Sequence, residues 1–147
     1  MGSKSTVSIL ALLVSATFLL VGVLGFIPGI TTNYGDLTFA SHDSEAELLG
    51  IFQVSILHNA VHIVFGLAGL ALWKTVSGAR LYLIGGGIVY LLLGVYGASI
   101  DHGSDANFVP VNTADDILHF ALGAAMVLLG FAGARLIDNV THRQQPA

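Results

Sequence analysis

His58 and His62 stand four residues apart in the segment His58-Asn59-Ala60-Val61-His62. At that spacing two side chains project from one face of a helix, and the ligand spacing is that of the H-E-x-x-H zinc motif. Asn59 occupies the place of that motif's general base, so metalloprotease chemistry has no base to run on. His119 adds a third imidazole. One reading is a divalent metal held by His58, His62 and His119 without hydrolysis. Another is haem b, with axial histidines from two different helices. A third is a relay of protons or small solutes along the same three rings, because histidine titrates near neutral pH. The plainest reading needs no cofactor: neutral histidines, Asn59 and Tyr90 form a satisfied polar cluster that fixes helix register. The full candidate cluster is Ser55, His58, Asn59, His62, Tyr90, Asp115, Asp116 and His119. No Ser/His/Asp set, phosphate-binding glycine loop or mid-depth carboxylate pair points to an enzyme. Asp115 and Asp116 read as a helix cap before they read as a dyad.

The elements that must position these groups follow from composition. The chain has 147 residues, of which 54% are hydrophobic and 10% charged, against roughly 25% charged in an average soluble domain. A water-soluble protein of this size has too little interior to hide so much apolar surface. Lipid is therefore the expected solvent for most of it. Cysteine is absent, which removes disulfides, thiolate metal sites and thiol nucleophiles. Five basic residues are too few and too scattered for a nucleic-acid surface.

Four apolar stretches approach or exceed the roughly 20 residues needed to cross a bilayer. They run over about 7–27, 48–73, 81–100 and 117–137. The first is longer than a signal-peptide core and lacks an A-x-A-like site, so it reads as a retained helix. Lys4, Lys74, Arg80, Arg135 and Arg143 all fall on one side of this arrangement. The opposite connections, 28–47 and 101–116, contain no Lys or Arg but hold Asp36, Asp43, Glu45, Glu47, Asp101, Asp105, Asp115 and Asp116. The positive-inside rule then places both termini in the cytoplasm. Trp73 and Tyr82 flank the short turn where interfacial aromatics belong, and Thr113-x-x-Asp116 resembles a capping box opening the fourth helix. The Met1-Gly2 myristoylation pattern and the Asn139-Val140-Thr141 sequon are not expected to be used.

Spacing also gives each helix one face that wants protein. At about 100° per residue, Ala11, Ser15, Phe18, Gly22 and Gly25 align on the first, and Ser55, His58, Asn59, His62, Gly66 and Gly69 on the second. Gly86, Gly87, Tyr90, Gly94, Gly97 and Asp101 align on the third, and Asp115, Asp116, His119, Gly123, Met126, Gly130 and Gly133 on the fourth. Small residues on one face are the signature of close helix approach in lipid. The expected fold is all-α, an integral-membrane four-helix bundle forming one transmembrane domain over 1–147. Close packing is expected at the cytoplasmic end and a wetter, histidine-bearing pocket under the acidic loops. Tyr90 is expected within hydrogen-bonding depth of His58 or His62. His119 should lie outward of His58 by roughly 6 Å, an offset that counts against a shared haem. Gln53, opposite His62, is expected to face a partner subunit or a loop folding over the outer edge. The 28–47 connection has room for a short helix or a lid.

Three segments together carry a family resemblance: Gly25-Phe-Ile-Pro28-Gly-Ile, Leu49-Gly-Ile-Phe-Gln53-Val-Ser-Ile-Leu-His58-Asn-x-x-His62, and Asn107-Phe-Val-Pro110-Val-Asn112-Thr-Ala-Asp115 leading to His119. The chain resembles an uncharacterised family of bacterial membrane proteins, domain of unknown function 4383, frequent in actinobacteria. The resemblance implies a four-helix bacterial membrane protein and no particular activity. The expected role is a non-catalytic assembly or accessory subunit in the bacterial plasma membrane. Its partners would be lipid and other membrane subunits or itself, not nucleic acid.

Overall fold

The computed structural model describes residues 5–143, with side chains as far as residue 133. Lys4 and the side chains of Arg135 and Arg143, which enter the charge argument, lie outside the described set. Four helices dominate: α1 (Thr6–Leu24), α2 (Ile56–Leu72), α3 (Val76–Ser99) and α4 (Thr113–Arg143). Each starts where a short polar side chain satisfies first-turn N–H groups. Ser5 accepts from the Ser8 amide, Ser55 from His58 and Thr75 from Gly78. At α4 the cap is Asn112, whose Oδ1 accepts from the amides of Ala114 and Asp115 at 2.9 and 3.1 Å. Asp115 Oδ2 returns the bond to the Asn112 amide at 2.9 Å. The box therefore lies one residue earlier than Thr113-x-x-Asp116, and Asp116 is left for another partner.

Among the described residues, three helices are long and apolar enough to cross a membrane: α1, α3 and the Thr113–Gly133 part of α4. Apolar α2 has 17 residues, roughly 25 Å at about 1.5 Å per residue. Its expected start at Leu48 is corrected to Ile56. The residues before it form β2 (Glu47–Leu48) and β3 (Phe52–Gln53), which pair antiparallel beside β1 (Thr31–Thr32) in the order β1-β2-β3. Leu49 and Gly50 turn the hairpin at φ 57° and 67°, angles that no right-handed helix admits. The 28–47 connection thus holds a sheet edge and a 3-10 turn at Tyr34–Asp36. This layer has its own core, with Ala46, Leu48 and Val54 packed against Val21, Leu24 and Phe52. Gln53 faces that layer, its amide donating to the carbonyls of His42 and Ser44 at 3.2 and 2.9 Å.

The helices associate as two close pairs. On α1 and α2, a Cβ on Gly22 would meet the Asn59 carbonyl at 2.8 Å, and one on Gly66 the Leu19 amide at 2.9 Å. On α3 and α4, a Cβ on Gly87 would lie 2.7 Å from the Gly123 carbonyl. These glycines let backbones touch. Every stripe residue from the sequence is buried or half-buried except Asp101, which lies past the end of α3 and is exposed. Large aliphatics such as Leu13, Leu20, Val64, Leu81, Leu92 and Leu128 cover the outside. Glycine contacts are not confined to the end carrying the α2–α3 turn. Gly25 meets Asn59 and Gly97 meets Asp116 at the loop end as well.

Candidate functional site

Where the two pairs face each other the contacts are aromatic. Phe65 lies 5.1 Å from Tyr82 and 5.4 Å from Tyr90, ring centre to ring centre, and Phe18 bridges to Tyr90 at 5.1 Å and His62 at 5.7 Å. The series continues toward the loops through His62, His58 and His119. His58 is 4.8 Å from His62 and 6.5 Å from His119. The structure thus gathers all three histidines, two of them set on one face of α2 by their four-residue spacing. Tyr90 joins them by packing, not by the expected hydrogen bond: its ring stands edge-on to His119 at 5.2 Å.

The protons of two histidines are fixed by their partners. His58 Nδ1 lies 2.9 Å from the Pro110 carbonyl, and His62 Nδ1 lies 3.0 Å from the His58 carbonyl one helical turn back. A carbonyl oxygen only accepts, so each Nδ1 carries the hydrogen. The neutral ring then keeps its lone pair on Nε2. Among the described residues the Nε2 of His62 has no hydrogen-bond partner, while His58 meets the Gln53 backbone as well as Pro110. His119 is 5% exposed, and its buried Nδ1 has no partner among them either.

Two cavities flank this group. One, of about 160 Å³, opens between α2 and α3 past the exposed Val61, Leu93 and Tyr96. The other, of about 270 Å³, opens between α1 and α4 past the exposed Thr17, Leu49 and Leu118. His58, His62, Tyr90 and His119 line both. Most other lining residues are aliphatic or aromatic, so the expected wet pocket is an apolar one with a polar wall. A macrocycle slotted between His58 and His119 would have to displace the adjoining rings of His62 and Tyr90. Among the described residues, no group of three or more His, Cys, Asp or Glu is placed to hold a metal ion.

The rest of the candidate cluster builds the frame. Ser55 caps α2, and fully buried Asn59 packs against Gly25. Asp115 Oδ2 accepts from the amides of Gln53 and Asn112 at 3.0 and 2.9 Å, tying β3 to the start of α4. Asp116 Oδ2 accepts from His102 Nε2 at 2.9 Å, and that N–H is shared with the Gly97 carbonyl at 3.1 Å. Two residues that matter here escaped sequence reasoning. His102 sits in a loop with no helical spacing to mark it. Buried Asn107 braces the loop, donating to the His102 and Val111 carbonyls and accepting from the Val111 amide, each at 3.0 Å. It thereby sets the Pro110 carbonyl that His58 uses. Asn107 and Pro110 stand in a segment that carries the family resemblance, but residue type alone does not show this bracing.

Over residues 8–132 the chain matches the family model described as Domain of unknown function (DUF4383). Neither the curated proteins nor the solved structures include a match.

Proposed function

The chain belongs to the DUF4383 family, a domain of unknown function, and we propose from its site that it is a non-catalytic, multi-pass protein of the bacterial plasma membrane that holds a small lipophilic guest between its helix pairs. In this reading residues 1–147 act as one transmembrane domain with both termini cytoplasmic. The observation that supports it is the shared wall, since His58, His62, Tyr90 and His119 line two apolar cavities that open at the outer helix surface. Apolar cavities with a few convergent polar groups are the usual form of small-molecule sites.

The test is native mass spectrometry of the protein released from its own membrane in mild detergent. We expect one bound lipophile per chain, reduced when Thr17→Trp and Val61→Trp block the two rims. A chain that carries no small molecule, both in detergent and in lipid nanodiscs, overturns the reading. An absorption spectrum and metal analysis on the same sample separate it from its cofactor rivals. A Soret band or stoichiometric metal lost in His62→Ala would replace the lipophile with haem or a divalent ion.

A second reading, an accessory subunit docking through its loop layer, draws on Phe39, Leu49, Ile51 and Phe108, which are exposed there. The stripe glycines do not support it, because they face the chain's own helices. Phe39→Ser with Ile51→Ser should then release a co-purifying membrane protein. A monodisperse monomer from mild detergent counts against that reading.

A further inference from the structure

We infer that the guest is a hydroxyl-headed lipid, its hydroxyl donating to the histidine wall while its apolar tail lies in a cavity between helix pairs. This rests on the lipophile-binding reading above and goes on to specify the head group. The argument is one of donors and acceptors. The carbonyls of Pro110 and His58 take the Nδ1 hydrogens of His58 and His62. Each neutral ring can then present only an acceptor at Nε2. A ketone or ether head, which also only accepts, finds no donor on these two rings. A hydroxyl supplies what they lack.

His119, across the bundle, also lacks a hydrogen-bond partner, at its Nδ1, among the described residues. Its ring is buried and lines both cavities. A hydroxyl both donates and accepts, so it can bond a lone pair on α2 and, through its own oxygen, an N–H on His119. Buried polar atoms without partners are few in native proteins, and each calls for an explanation. Tyr90, packed on His119, bounds the wall on the α3 side. The chemistry fits a long-chain or polyprenyl alcohol and a tailed hydroquinone alike, since both carry the same O–H.

The experiment uses the full chain in phosphatidylcholine vesicles and a pair of photoreactive probes, diazirine-bearing hexadecanol and its methyl ether. The alcohol should label cavity-lining residues about tenfold more efficiently than the ether, the worth of one well-placed hydrogen bond. His62→Gln keeps an acceptor near the Nε2 position and should retain most of that preference. His62→Asn keeps a group near Nδ1 but no acceptor at Nε2, and should lose it. Both variants change only a half-buried side chain whose other bond lies within its own helix. Equal labelling by alcohol and ether, blocked by Thr17→Trp and Val61→Trp, overturns the hydroxyl assignment and leaves lipophile binding intact. Labelling scattered over the outer surface and insensitive to those rim variants overturns both. Competition with a polyprenol and with an isoprenoid hydroquinone then identifies the source, and displacement by neither refutes the assignment.

Discussion

At Asp115 a single carboxylate oxygen accepts two main-chain N–H groups, one from the loop before α4 and one from β3, 62 residues away in sequence. Asp116 beside it serves neither and holds His102 instead. The sequence presents the two acids as an equivalent pair at a helix start, because hydrogen-bond direction inside a turn is not written in residue type. Asp115→Ala would leave two half-buried amides without partners. It should lower stability by about 2–4 kcal/mol, read from thermal unfolding in detergent, with Asp115→Asn recovering part of the loss. A melting temperature equal to wild type would show that the loop layer does not depend on this tie. The three histidines were legible for the opposite reason. Imidazoles within apolar runs stand out by type alone, and a spacing of four fixes their common face.

The same periodicity explains why the buried faces of all four helices could be read, and why one helix boundary could not. Hydropathy sees Leu48–Val54 as apolar and joins it to α2, whereas the backbone turns back on itself at Leu49-Gly50. A short apolar run is compatible with strand or helix alike, and Ser55 marks the true start only once its side chain is seen to cap His58. Glycine positions on α3 and α4 offer a sharp test at this scale. A Cβ at Gly85 would meet nothing nearer than 3.9 Å, whereas one at Gly123 would lie 2.8 Å from the Gly87 carbonyl. Gly85→Ala should therefore be neutral or stabilise by up to about 1 kcal/mol, through helix propensity. Gly123→Ala should destabilise by about 1–3 kcal/mol, because backbone rather than a flexible side chain must yield. Equal effects of the two substitutions on unfolding would refute the α3–α4 seam.

Across the whole molecule, Lys74 and Arg80 lie at the end with the tight α2–α3 turn, and the acidic connections lie at the other. The absence of native cysteine makes orientation directly measurable. With cytoplasmic termini, Asp43→Cys should react with an impermeant maleimide in intact cells, and Lys74→Cys only after permeabilisation. The reverse pattern would invert the topology. The openings described above also carry a consequence for how the site fills. Their rims sit among outward-facing aliphatic side chains, so on the lipophile-binding proposal a guest would enter from hydrocarbon and return to it. Its occupancy follows the guest-to-lipid mole ratio, not any aqueous concentration: dilution into buffer leaves it seated, whereas adding empty vesicles drains it.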